Sequence, residues 1–308
     1  MKNHPPHIGL MKKAVILILF LTGMALDSHA QLNPLQSMYF QNPYLYSPAL
    51  AGMSNSLDIN MDYSQQWSNF PGTPKTASFT ADFQPADKVG LGIDVNNETA
   101  GLIKQTMVMG SYAYHLPVGG NNQKLNFGLS LGLNSSRVDN SEVVGDEGDD
   151  EIEQYNQQKP YVDGQLGVVY TSNNLSIGGT IPDLKYAFFK TSDDRFDADQ
   201  LLFISMASYK FFMQNEDRDF TLEPLVAYRV VRGYNSIVDA GFNFAMKNTG
   251  IYLQGMYHSS KSMNLGFGLD EDTYAVNFSY NIDTGPINTY ANGTLEVGIT
   301  IRLFGKKR

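Results

Sequence analysis

The chain has 308 residues, a net charge of −9, 17% charged residues, no cysteine, and 18 tyrosines with 18 phenylalanines. Without a basic stripe to displace counterions from phosphates, the acidic balance excludes a nucleic-acid partner. The missing thiols exclude a disulfide framework, a thiolate metal site and a lipid-bearing cysteine at a processed N-terminus.

Residues 11–30, MKKAVILILFLTGMALDSHA, carry two lysines, an apolar run from Ala14 to Leu26, and small residues at Ser28 and Ala30. This is the pattern of a signal peptide, with Met11 as a candidate start and Gln31 as the expected mature N-terminus, so residues 1–30 stand outside the fold. No later apolar run reaches about 18 residues, which leaves no helix able to span a membrane. An exported chain of this kind is either soluble beyond the inner membrane or a β-barrel.

Residues 31–56, QLNPLQSMYFQNPYLYSPALAGMSNS, show neither period of two nor period of 3.6. The density of Tyr39, Phe40, Tyr44 and Tyr46 argues against a disordered leader. An irregular but ordered segment with one helical turn is expected, at the periplasmic mouth or tucked into it.

From Leu57 onward the sequence alternates. Leu57, Ile59, Met61 and Tyr63 oppose Asp58, Asn60, Asp62 and Ser64, and the same logic repeats at 77–83, 89–96, 125–134 and 263–270. Residues 293–304, GTLEVGITIRLF, form a closing strand with Leu295, Val297, Ile299, Ile301 and Leu303 on one face. Less regular strands fit near 104–115, 164–171, 174–181, 201–212, 219–230, 236–247, 250–258 and 273–281. The count is about fourteen, each near the roughly 9 to 11 residues that a tilted transmembrane strand needs.

The face opposite the apolar one is mostly Gly, Asn, Ser and Asp, where a soluble sandwich would carry Lys, Glu and Thr. Small polar residues suit a curved wall around a confined aqueous interior, and glycine relieves crowding where a sheet bends. If the first strand runs outward, every connection beyond about nine residues falls outside the cell, including 65–75, 136–162, 182–200 and 282–292, while the other side keeps short turns. The reading is an all-β, antiparallel, up-and-down transmembrane barrel over 57–304, with a basic tail at 305–308, in the outer membrane of a Gram-negative bacterium.

Several stretches resemble the PorP/SprF family of type IX secretion system outer-membrane proteins. In FQNPYLYSPALAG, the residues Asn42, Pro43, Tyr46, Pro48, Ala49, Leu50, Ala51 and Gly52 are similar to the family's opening, with Ser47 where asparagine is usual. YSQQWSNFPGTPKT, 63–76, resembles its Gln-Trp and Gly-x-Pro-Lys-Thr signature; VGLGIDVNNETAG, SYAYHLPV, LNFGLSLGL and NGTLEVGI follow the family pattern in order. The similarity is weakest at 136–200. It implies a role in secreting or anchoring a large adhesin-like client that bears a type IX C-terminal signal, alongside translocon components and outer-membrane lipids, in the secretion and gliding machinery.

Three constellations are candidates for function. The loop 65–75 gathers Trp67, Phe70, Pro71, Gly72, Pro74 and Lys75; Trp67 either joins an aromatic girdle, narrows the barrel from a folded-in loop, or touches a client. The run 141–158 packs seven carboxylates, read as a solvated outer loop or a weak divalent-cation site without the spacing of an EF loop. The expected lumen carries Asp58, Asp62, Asp82, Asp94, Glu223, Asp239 and Glu296 against Arg229, Lys247 and Arg302, through wall-to-wall pairing or selectivity for a cationic solute. No nucleophile, paired catalytic carboxylate, phosphate loop or metal cluster stands out, so neither an enzyme nor a cofactor is expected. A general porin or solute channel is the alternative function.

Overall fold

The structure, a computed structural model, describes residues 38–67, 72–120, 122–139, 150–189, 201–215, 218–232, 235–284 and 293–305. The signal peptide, Phe70, Pro71, the acidic residues 141–149 and the end of the basic tail lie outside the described residues.

The described residues form fifteen antiparallel strands: β1 Leu57–Gln66, β2 Lys75–Ala86, β3 Val89–Ala100, β4 Ile103–Pro117, β5 Lys124–Val138, β6 Tyr161–Thr171, β7 Leu175–Ile181, β8 Leu201–Tyr209, β9 Phe211–Asn215, β10 Arg218–Val231, β11 Ile237–Met246, β12 Ile251–His258, β13 Ser262–Asp270, β14 Tyr274–Asp283 and β15 Thr294–Leu303. β1 pairs with both β2 and β15, and β10 pairs with both β8 and β11, so fourteen strands close into an up-and-down barrel. β9 is the one strand outside that ring.

The period of two decides which face meets what. Leu131 is 57% exposed and Leu295 53%, whereas Ser130 and Asn264 are 1% exposed, so the leucine face looks outward and the small polar face inward. A continuous exposed belt of Leu, Val, Ile and Phe is stable only against hydrocarbon. Tyr63, Tyr228, Tyr257 and Tyr280 border it towards the long loops, and Phe83, Tyr112, Tyr114 and Tyr274 towards the short turns. β4 and β5, at 15 residues each, exceed what a bilayer needs, and their surplus at the loop side is polar. There Asn97 Nδ2 donates to Thr106 Oγ1 at 3.0 Å, and Lys104 pairs with Asp139.

A single strand expected at 201–212 is instead β8 and β9, broken at Lys210. The cause is Pro224 on β10, which has no N–H to offer the ladder. Ser208 opposes Leu225 and Phe211 opposes Leu222 in one unbroken register, which puts Pro224 opposite Tyr209 and Glu223 opposite Lys210. Glu223 bridges the gap, 3.3 Å from Lys210 Nζ and accepting from Ser208 Oγ at 2.9 Å.

Two short helices among the described residues lie on the side of the long loops. α1, Asp150–Asn156, is tied to the tip of β5 by Tyr155 Oη, 2.7 Å from Ser136 Oγ, and by the Asn156 amide on both backbone groups of Val138. α2, Leu184–Phe189, starts behind Asp183, whose Oδ1 accepts from Tyr186 N at 2.7 Å.

Candidate functional site: a plugged lumen and its outer mouth

The segment 38–53 lies inside the barrel. It is one α-helical turn, Met38–Gln41, then two 3-10 turns, Pro43–Tyr46 and Pro48–Leu50, each begun by a proline at the position where a missing N–H costs nothing. Such short turns cannot satisfy their own backbone, so the wall supplies partners. Asn42 Nδ2 donates to Thr80 Oγ1 at 2.9 Å on β2, and Tyr44 Oη meets Ser111 Oγ at 2.7 Å on β4. Thr180 Oγ1 on β7 donates to Ser47 Oγ at 2.8 Å, and Gly52 N donates to Asp82 Oδ2 at 2.7 Å. His115 Nε2 lies 3.0 Å from Ala51 O, and Gln41 Nε2 donates to Gln254 Oε1 at 2.6 Å on β12. Burial pushes the phenols of Tyr39, Tyr44 and Tyr46 above the usual tyrosine range, so they remain neutral.

The inner wall is cut to receive this plug. Gly90, Ala113, Gly128, Gly167 and Thr180 form one row across β3 to β7, each the direct partner of the next. A Cβ at Gly128 would lie 2.1 Å from Ala49 N, one at Gly167 2.4 Å from Ser47 Oγ, and one at Gly90 1.9 Å from Ala51 O. The glycines expected to relieve wall curvature are, at these positions, the seat of the Ser47–Ala51 backbone. Gly52 itself needs its positive φ of 68° to leave the trench. On the other side Tyr39, Tyr46, Ala49 and Leu50 pack against Val169, Ile204, Met206, Leu225, Ala227 and Met256.

Among the charges expected in the lumen, Arg229 and Asp239 come together. Arg229 Nε donates to Asp239 Oδ2 at 2.6 Å and Nη2 to Oδ1 at 2.9 Å; both side chains are fully buried. Tyr39 Oη from the plug donates to Oδ2 at 2.7 Å, and His258 Nδ1 sits 2.7 Å from Oδ1. One carboxylate therefore joins β10, β11, β12 and the plug. Arg302 instead turns to Asp270 Oδ1 at 2.6 Å, and Glu223 to Lys210. Lys247 lies one residue past the end of β11, exposed, with its ammonium 4.8 Å from the centre of the Phe212 ring. Asp58, Asp62, Asp82 and Asp94 line β1 to β3, and Glu296 is buried on β15.

At the outer mouth Trp67 has a φ of 46° and donates its indole N–H to Asp283 Oδ2 at 3.0 Å, across β15. Its ring is thus half-buried and turned over the rim instead of standing in the lipid girdle. Gly72 O accepts from Gly101 N at 2.9 Å, and Gln66 N donates to Pro74 O at 2.9 Å, which holds this loop against the β3–β4 tip. Lys75 is exposed. Because Trp67 is the only tryptophan, Asp283→Ala should red-shift the emission of the folded protein as the ring loses its anchor; an unchanged spectrum would refute the anchoring.

A family model described as "Type IX secretion system membrane protein PorP/SprF" matches residues 28–301. The chain belongs to this family. No curated protein matches the sequence. The barrel is similar to the Acinetobacter baumannii outer membrane protein Omp33, at 8% identity over 82% of this chain and 100% of that one, with a TM-score of 0.48. It is also similar to the P. putida toluene transporter TodX, at 11% identity over 87% and 95% of the two chains and a TM-score of 0.47. The Ralstonia pickettii toluene transporter TbuX gives 9%, 84%, 92% and 0.45 in the same terms. As a barrel of the PorP/SprF family, the protein resides in the outer membrane of a Gram-negative bacterium.

Proposed function

We propose that this barrel assists the secretion or surface attachment of a large adhesin-like client with a type IX C-terminal signal, working with translocon components and offering the client a surface, not a passage. The occupied lumen carries this reading: segment 38–53 is hydrogen-bonded to strands around the ring, so the interior is committed to the chain's own N-terminal residues. The client would meet the outer mouth, where Trp67, Gly72, Pro74 and Lys75 stand beside the raised β3–β5 wall. The role is one of binding, without catalysis. Deleting the gene and cataloguing surface proteins is the test. Loss of one large surface protein is expected; an unchanged surface with slowed nutrient uptake would reject the proposal.

The four carboxylates on β1 to β3 favour a second reading, passage of cationic solutes along that wall. Steady cation conductance by the wild-type protein in liposomes would support it over the first.

A further inference from the structure

We infer that β9 is a docking edge for an extended strand contributed by a polypeptide partner on the periplasmic side of the outer membrane. β1 begins and β15 ends at the rim of short turns, which is the periplasmic rim. β9 belongs to that rim, and among the described residues its ladder is to β10 alone. β7 would be its other neighbour, but β7 starts at Leu175, opposite Tyr209. Among the described residues the last contact across this edge is at Lys210, whose N–H donates to Asn174 O and whose carbonyl accepts from Asn174 Nδ2, both at 2.7 Å. Backbone groups alternate sides along a strand. Those of Phe212 and Gln214 therefore point the same way as those of Lys210, into the place that β7 has vacated.

Three occupants can be compared. Lipid offers no hydrogen bonds to an open sheet edge, which is why such edges do not occur in hydrocarbon. A second copy fails on symmetry. Two barrels standing along the membrane normal are related by a two-fold axis along that normal, so strands tilted 35 to 45° would cross at roughly 70 to 90° instead of lying antiparallel. An extended segment of another polypeptide satisfies the edge directly, as strand addition does elsewhere. Side-chain exposure points the same way: Phe211, Phe212 and Met213 are 48%, 51% and 43% exposed. Three consecutive apolar residues exposed on both faces of a strand that lies beyond the bilayer mark an interface. A charged or proline-bearing guard, the usual protection of such an edge, is missing from these three residues.

Amide hydrogen exchange resolved at Phe212 and Gln214 tests this. The full chain is compared in outer-membrane vesicles shed by cells with intact secretion machinery and, purified, in lipid nanodiscs. Exchange at both amides should be at least tenfold slower in the vesicles, while amides bonded to β10, such as that of Met213, stay unchanged. Equal exchange in the two settings overturns the inference, and so does equal protection in lipid alone. Phe212→Pro removes the edge N–H together with the exposed phenyl ring, leaves the ladder to β10 intact, and should abolish the vesicle protection at Gln214 while the barrel keeps its heat-modifiable mobility. Persisting protection in that variant would also overturn it.

Discussion

Gly128→Val should convert a silent barrel into a steadily conducting one in planar bilayers. The position faces inward on β5, and the first atoms that an added Cβ meets are Ala49 N at 2.1 Å, Pro48 C at 2.2 Å and Ala49 Cα at 2.5 Å, all of them in the plug. Its wall neighbours in the row are Ala113 and Gly167, both small. Contacts below about 3 Å between heavy atoms cannot be absorbed by a close-packed interior. Something must move, and the plug is held by hydrogen bonds where the wall is held by two full ladders. The barrel should therefore keep its fold and lose its filling. Gly110→Val is the control, since a Cβ there meets nothing within 4 Å. A wild-type protein already conducting at the variant's level, or a folded Gly128→Val barrel that stays silent, would contradict the seating of residues 47–51.

Much of the architecture was legible because lipid imposes a strict code. Every strand of the closed ring lies in one of the fourteen expected stretches, and the parity of long and short connections is enough to orient them. What escaped has a common cause in the plug. Strands near 164–171, 201–212 and 219–230 looked irregular because both faces are apolar there: Val169, Ile204, Met206, Leu225 and Ala227 point inward, yet pack against Tyr39, Tyr46 and Leu50 instead of water. Loss of alternation in those strands was thus a sign of a filled lumen. In the sequence the inward glycines at 90, 128 and 167 look like relief for curvature, since nothing in one strand says that another segment will lie against it. Pro224 was a usable signal, because a proline inside a strand pattern announces a missing ladder bond, and it marks the break that releases β9. Lys247 keeps the inward parity of β11 but follows its end at Met246, at the rim of short turns.

Replacing Asp239 with alanine should cost about 3 to 5 kcal/mol of stability, because the buried Arg229 guanidinium would lose its carboxylate counter-charge. The two are joined by a two-pronged bridge with both side chains fully buried. Loss of the carboxylate also strands Tyr39 Oη and His258 Nδ1, which now share it. Tyr39→Phe isolates the plug's part, in which its phenol donates to the charged Asp239 carboxylate, and should cost about 1.5 to 3 kcal/mol. The double replacement Arg229→Met with Asp239→Leu removes both charges together and should recover about half or more of the single-variant loss, since an apolar pair of similar volume carries no desolvation penalty. Urea unfolding midpoints of the purified barrel, read by its heat-modifiable mobility, measure all three. If the double variant is less stable than Asp239→Ala, the bridge is a net stabiliser in its own right, and the penalty of a buried arginine without its counter-charge is not what holds this carboxylate between plug and wall.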